Sequence, residues 1–204
     1  MKLNKYTSYI TLSLFFVLAF MLQGCSVGGK FLTEVSSFSA VKNDEVVIVG
    51  TIELKPKLDK DEQELDPKGV WDVMGYGAKN KNRGMITFNS KPESSGYKYV
   101  INPELGKVFF FKVPRDLNYI VDGEILTVFS RFGSEKILLP TGFKINIKSS
   151  DKAVYIGKIT YIRDDFNSVT RVEFKDDYNK ALKEFRKKFG KKYKLRKSLV
   201  KAIK

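Results

Sequence analysis

A mainly β domain, an antiparallel β-sandwich-like fold with a C-terminal amphipathic helix, is predicted by three observations. Short runs rich in β-branched and aromatic residues recur from Glu45 to Phe174, and turn-forming residues stand between them. No ten-residue helical pattern interrupts the series before Asp176. The last point disfavours parallel βαβ folds and the nucleotide sites they carry.

The first run is Glu45 to Leu54 (EVVIVGTIEL). Comparable runs follow at Val70 to Met74, Met85 to Phe88, Tyr97 to Ile101, Val108 to Val113, Tyr119 to Val121, Ile125 to Phe129, Ile137 to Leu139, Phe143 to Ile147, Ala153 to Ile162 and Val169 to Phe174. Their spacing is that of a meander or sandwich. The punctuation is apt: Pro114-Arg115-Asp116 makes a turn, Asp122-Gly123 suits a tight hairpin, and Leu139-Pro140-Thr141-Gly142 has proline second and glycine fourth.

Two runs are too apolar for strands with one wet face. Phe109, Phe111 and Val113 alternate with Val108 and Phe110, while Val154, Ile156, Thr160 and Ile162 alternate with Tyr155, Gly157, Ile159 and Tyr161. Both faces of the sheet are therefore expected to be covered there. A cover is available in the chain. From Asp176 to Phe189, acids lead, Gly190 follows, and Tyr178, Ala181, Leu182, Phe185 and Phe189 recur at helical spacing. An exposed aromatic patch that docks a partner is the alternative.

Composition narrows the chemistry. The 204 residues include no histidine and a single cysteine, Cys25. Serine-histidine triads, cysteine-histidine dyads, ordinary zinc sites and intramolecular disulfides are thereby excluded. The net charge of +14 is concentrated at the end. From Lys183 to Lys204, eleven basic residues against the single acid Glu184 give +10, and residues 25–182 are close to neutral. Within Lys191 to Lys204 (KKYKLRKSLVKAIK), Leu195, Leu199 and Ile203 stand at i, i+4 and i+8. On a helix they would form an apolar stripe opposite Lys191, Lys192, Lys194, Arg196, Lys197, Lys201 and Lys204, a candidate site for an anionic surface. A solvated tail and a segment docking in an envelope protein's groove are the other readings. Nucleic acid is disfavoured, since only Tyr193 interleaves the charges.

The first 25 residues address the chain. Lys2 and Lys5 precede an apolar run from Ile10 to Leu22, which ends in Leu22-Gln23-Gly24-Cys25. About 13 residues are too few for a helix that crosses a bilayer, which needs roughly 20. Met1 to about Ser26 resembles bacterial lipoprotein signal peptides: Leu22, Gly24 and Cys25 match the lipobox pattern, and Gln23 departs from it. The resemblance implies removal of residues 1–24, diacylglycerol on the Cys25 sulfur, and acylation of the new amino terminus. It implies a lipid-anchored protein of the bacterial cell envelope, and with Ser26 after the cysteine the outer membrane in a Gram-negative organism. Residues 25–39, rich in Gly and Ser, read as a lipidated tether whose later part can join the fold and of which ten extended residues would reach roughly 30 Å. Residues 40–174 form the sandwich, 175–190 the helix and 191–204 the basic tail.

Sharper constellations are few. The acidic run Asp59 to Asp66 lacks the glycine and third alternate acid of a calcium loop, and reads as a solvated hairpin tip. Gly75-Tyr76-Gly77 and the basic residues after it lack the third glycine and following helix of a phosphate cradle, so a loop is expected. Trp71 and Tyr76 beside it could stack on a sugar or base, although core packing is the plainer fate of Trp71. Asp72, Glu104, Asp116, Glu124, Asp164 and Asp165 stand near strand ends, and nothing marks two of them as a catalytic pair. The stretch Val113 to Phe189 resembles uncharacterised bacterial lipoproteins with transthyretin-like or carboxypeptidase-regulatory-like sandwiches. That resemblance implies a non-catalytic binding or accessory module without cofactor or metal; an envelope glycan hydrolase using paired carboxylates is the alternative.

Overall fold

The computed structural model describes residues 30–63, 82–93, 99–130 and 133–203. The expected signal, Cys25, the run Val70 to Met74, and Trp71, Asp72 and Tyr76 lie outside the described residues. Among the residues described, the chain is mainly β. Strands β1 (Lys30–Phe31), β2 (Glu45–Lys55), β3 (Gly84–Asn89), β4 (Tyr99–Ile101), β5 (Val108–Pro114), β6 (Tyr119–Ser130), β7 (Gly133–Leu138), β8 (Phe143–Lys144), β9 (Ala153–Arg163), β10 (Val169–Lys175), β11 (Arg196–Lys197) and β12 (Lys201–Ala202) form two sheets. The first sheet runs β1-β4-β3-β6-β8-β12, with β7 also on β6; the second runs β10-β9-β2-β5, with β11 also on β9.

The inner faces of the two sheets share one core. Val46, Ile48, Ile52, Phe109, Phe111, Val154, Ile156 and Tyr161 of the second sheet meet Ile86, Phe88, Ile101, Ile120, Ile125 and Ile137 of the first. Each fully buried side chain of this size contributes about 1.5–3 kcal/mol relative to exposure. A sandwich with no disulfide among its described residues is held by this packing.

The expected cover over the outer face is present. The helix Tyr178–Phe189 lays Ala181, Phe185 and Phe189 on Val47, Val49, Phe110, Ala153 and Tyr155. Its N-terminus is held by the Tyr155 hydroxyl, which accepts from the Asp177 amide at 2.8 Å, and by Asp176 Oδ1, which accepts from the Tyr178 amide. Burial pushes the Tyr155 hydroxyl up to about 12, so it stays protonated at any ordinary pH. Gly190 ends the helix at φ 84°, where its amide reaches the Arg186 carbonyl at 2.9 Å.

Three local expectations are corrected. Most strand pairs are antiparallel, but the central pair β2–β9 is parallel. Both strands are buried almost throughout, the condition under which parallel pairing is stable. Secondly, β9 does not keep one alternation. Val49 pairs with Tyr155 and Gly50 with Gly157, so Ile156 is passed over. This bulge, with Gly157 at φ 108°, turns Ile159 and Tyr161 to the same core as Val154 and Ile156. Thr160 thereby faces outward and donates to Glu53 at 3.2 Å. Thirdly, Asp122-Gly123 is not a hairpin. β6 runs straight through it and pairs with β3 on both sides of a bulge. Glycine serves there because a Cβ would come within 3.1 Å of Leu139 Cβ and 3.2 Å of Ile86 Cδ1.

Candidate anionic-surface site

The residues after Gly190 do not form the amphipathic helix that their i, i+4, i+8 pattern suggests. They form a strap. β11 pairs in parallel with Val154 and Tyr155, the stretch of β9 that β10 leaves open. The Ser198 and Val200 amides then donate to the Tyr155 and Ile156 carbonyls, at 2.9 Å each. β12 crosses to the other sheet and pairs antiparallel with β8, Lys201 opposite Lys144 and Ala202 opposite Phe143. Leu195 is buried on the helix side and Val200 between the sheets, while Leu199 and Ile203 stay 38% and 39% exposed. A free helix of this length is only marginally stable in water, whereas pairing ties the segment to strand edges that are already in place.

The strap sorts the predicted basic residues into two groups. Arg196 is structural: its Nε and Nη2 donate to the Asp151 carboxylate at 2.6 Å each, and Nη2 also reaches the Asn146 carbonyl. Burial favours the neutral form of Asp151, but the Arg196 guanidinium and the Lys148 amide outweigh it and hold the carboxyl below its ordinary range. Lys197 pairs with Asp176 at 2.7 Å. Lys191, Lys192, Lys194 and Lys201 are exposed and have no carboxylate within 4.0 Å among the described residues. Lys192 Nζ lies 4.9 Å from the centre of the Tyr193 ring. Lys204 lies outside the described residues.

Lys191, Lys192 and Lys194 follow directly on a helix that is itself rich in cations. Lys183, Arg186 and Lys187 on the helix are exposed too, again with no carboxylate in reach among the described residues. Their signal is present in the sequence as part of the +10 segment from Lys183 to Lys204.

The segment expected as a tether is docked from Lys30 onward. β1 pairs with β4, the Val35 amide donates to the Phe110 carbonyl at 2.8 Å, and Phe38 enters the helix-side core. Phe38 stacks on Tyr193 at 4.1 Å and meets Phe185 and Phe189 edge-on. Glu34 pairs with Lys188 at 3.6 Å. The N-terminal segment and the basic turn after the helix therefore touch one another.

Of the described carboxylates singled out from sequence, three are held by local partners. Glu104 pairs with Lys107 at 2.7 Å and Glu124 with Lys136 at 2.8 Å. Asp164 accepts from the Phe166 and Ser168 amides within its own turn. The described part of the acidic run is a short helix, Lys60–Gln63. Asp59 and Glu62 cap it reciprocally at 2.8 Å, and Glu62 is engaged by Arg163. No group of three potential metal ligands occurs among the described residues.

Sequence reasoning missed two arginines that organise the fold. Arg115 donates to the carbonyls of Asn43, Glu45, Lys148 and Asp151, tying β2, β5 and the approach to β9. Arg163 binds both oxygens of Glu62 and the carbonyls of Pro56 and Lys57.

Fold and site together define a class: a two-sheet β domain, closed by a C-terminal strap, with a cationic face beside its N-terminal segment. No family model, curated protein or solved structure matches the chain. Among the described residues, no helix is long and apolar enough to cross a membrane.

Proposed function

We propose that this is a lipid-anchored protein of the bacterial cell envelope, a non-catalytic binding or accessory module that also contacts anionic lipid or glycan through its basic residues. The observation that carries the reading is the contact of Phe38 with Tyr193 and of Glu34 with Lys188. Glu34 lies nine residues after Cys25, a span of roughly 30 Å when extended. A lipid on Cys25 would thus hold Lys187, Lys191, Lys192 and Lys194 within reach of the same bilayer. Diacylglycerol already carries two chains, so the lipid would supply the attachment and the electrostatic contact would orient the domain against the surface. The outer membrane is the proposed destination in a Gram-negative host, since Ser26 follows the anchor.

The test uses the chain from Ser26, which keeps every described element. It should cosediment with vesicles containing phosphatidylglycerol and not with neutral ones, and salt should weaken the binding. Lys191→Glu, Lys192→Glu and Lys194→Glu together should weaken it about 100-fold, at about 1 kcal/mol per basic residue. Equal binding to both vesicle types, or indifference to the triple change, would remove the surface contact from the proposal.

A further inference from the structure

A cleft of about 970 Å³ opens where the strap crosses between the sheets. It is bounded by the start of β6, by residues 144–147 and by residues 196–203. Its size lies in the range of small-molecule sites. Four lining residues are cations, Lys144, Arg196, Lys197 and Lys201, and no carboxylate lines it among the described residues. Arg196 and Lys197 are neutralised by Asp151 and Asp176, whereas Lys144 and Lys201 have no carboxylate within 4.0 Å among the described residues.

Those two lysines are direct cross-strand partners in the β8–β12 pair, and Lys144 is in turn the partner of Tyr119 in β6. Tyr119, Lys144 and Lys201 therefore form a row on one face across three strands. The Lys144 Nζ sits 5.4 Å from the centre of the Tyr119 ring. Like charges placed opposite each other repel, and an anion seated between them would turn that repulsion into attraction. Beside the row the cleft is apolar, lined by Ile145, Ile147, Leu199 and Ile203. Leu199 and Ile203 keep more than a third of their surface in water.

A small inorganic anion would use the lysines and leave this apolar wall wet. A neutral apolar ligand would use the wall and leave the lysines repelling. We propose that the cleft binds an anionic amphiphile: a carboxylate or phosphate head between Lys144 and Lys201, with its alkyl or acyl chain along Leu199 and Ile203. This goes beyond the surface contact proposed above, which uses Lys187, Lys191, Lys192 and Lys194, none of which lines the cleft.

Isothermal titration of the chain from Ser26 with octyl phosphate, inorganic phosphate and octanol tests the assignment. One octyl phosphate should bind per chain, and the other two should bind about tenfold more weakly or worse. Lys144→Gln with Lys201→Gln should lower octyl phosphate affinity about tenfold or more while leaving the melting temperature unchanged or raised. Leu199→Gln should weaken it as well. The triple change at Lys191, Lys192 and Lys194 should leave it intact, which separates this site from the membrane-facing one. Competition between octyl phosphate and phosphatidylglycerol vesicles would assign the head group to a membrane lipid; independent binding would assign a free amphiphile. Octyl phosphate binding no tighter than inorganic phosphate, or unaffected by the double Gln variant, would overturn the proposal.

Discussion

Truncation after Gly190 is expected to destabilise the domain by roughly 5 kcal/mol or more, a fall in Tm on the order of 15 °C for a chain of this size. The loss has three sources. Leu195 and Val200 are 3% and 7% exposed, and each contributes about 1.5–3 kcal/mol by burial. The edge of β9 loses β11, and β8 loses β12. Asp151, only 6% exposed, loses Arg196 and keeps only the Lys148 amide, and breaking such a buried pair costs about 3–5 kcal/mol because the charge loses its counter-ion. Part of this is recovered as water enters the opened edge. Thermal melts of the chain from Ser26, with and without residues 191–204, measure it. A truncated chain melting within a few degrees of the full one would mean that the strap is a loose tail. The result also decides how the basic residues should be probed: charge reversal at exposed lysines reads surface binding, whereas truncation reads stability.

Replacing Arg163 by Met should cost about 3–5 kcal/mol. Arg163 is 9% exposed and closes a joint between the end of β9 and the segment that follows β2. Methionine fills part of the space but leaves Glu62 and two carbonyls without their donor. The Arg163 guanidinium beside Glu62 holds its carboxyl below the ordinary range against the opposing effect of burial. A carboxyl depressed in the folded state adds stability that is fully present above its unfolded value and lost as pH falls through the folded one. The advantage of the native chain over Arg163→Met should therefore be constant near neutrality and shrink below about pH 4. Asp151, depressed by Arg196, should add to the same acid loss in the native chain. Urea titrations of both proteins across this range supply the comparison. A gap between them that persists unchanged into strong acid would mean that the Glu62 pair contributes little.

Much of the fold was legible because it follows from local pattern. The helix Tyr178–Phe189 carries its period in the sequence, and the double-sided burial of Phe109 to Val113 in β5 announced a cover over the outer face. What was not legible depends on partners far along the chain. Arg163 and Glu62 are 101 residues apart, and nothing local to either names the other. The direction of β2 against β9 has the same character, since a run buried on both faces can pair either way. The strap shows a different limit. Its strands are two residues long, too short for any period to register, while the coincidental spacing of Leu195, Leu199 and Ile203 imitates a helix. Pairing with β8 and β9 overrides that spacing. Of the predicted cationic site, the charges were legible but their division was not: Arg196 and Lys197 are tied to Asp151 and Asp176, which sequence could not match to them.

The central claim, attachment through Cys25, is tested most directly on the chain isolated from the envelope of the expressing bacterium. Mass analysis of its N-terminal peptide should find a chain that begins at Cys25 and carries diacylglycerol on the sulfur. Cys25→Ser should retain residues 1–24 or leave the membrane fraction on a carbonate wash. A native chain in that fraction with an unmodified Cys25 thiol, and a Cys25→Ser chain that is processed and retained like the native one, would contradict the account.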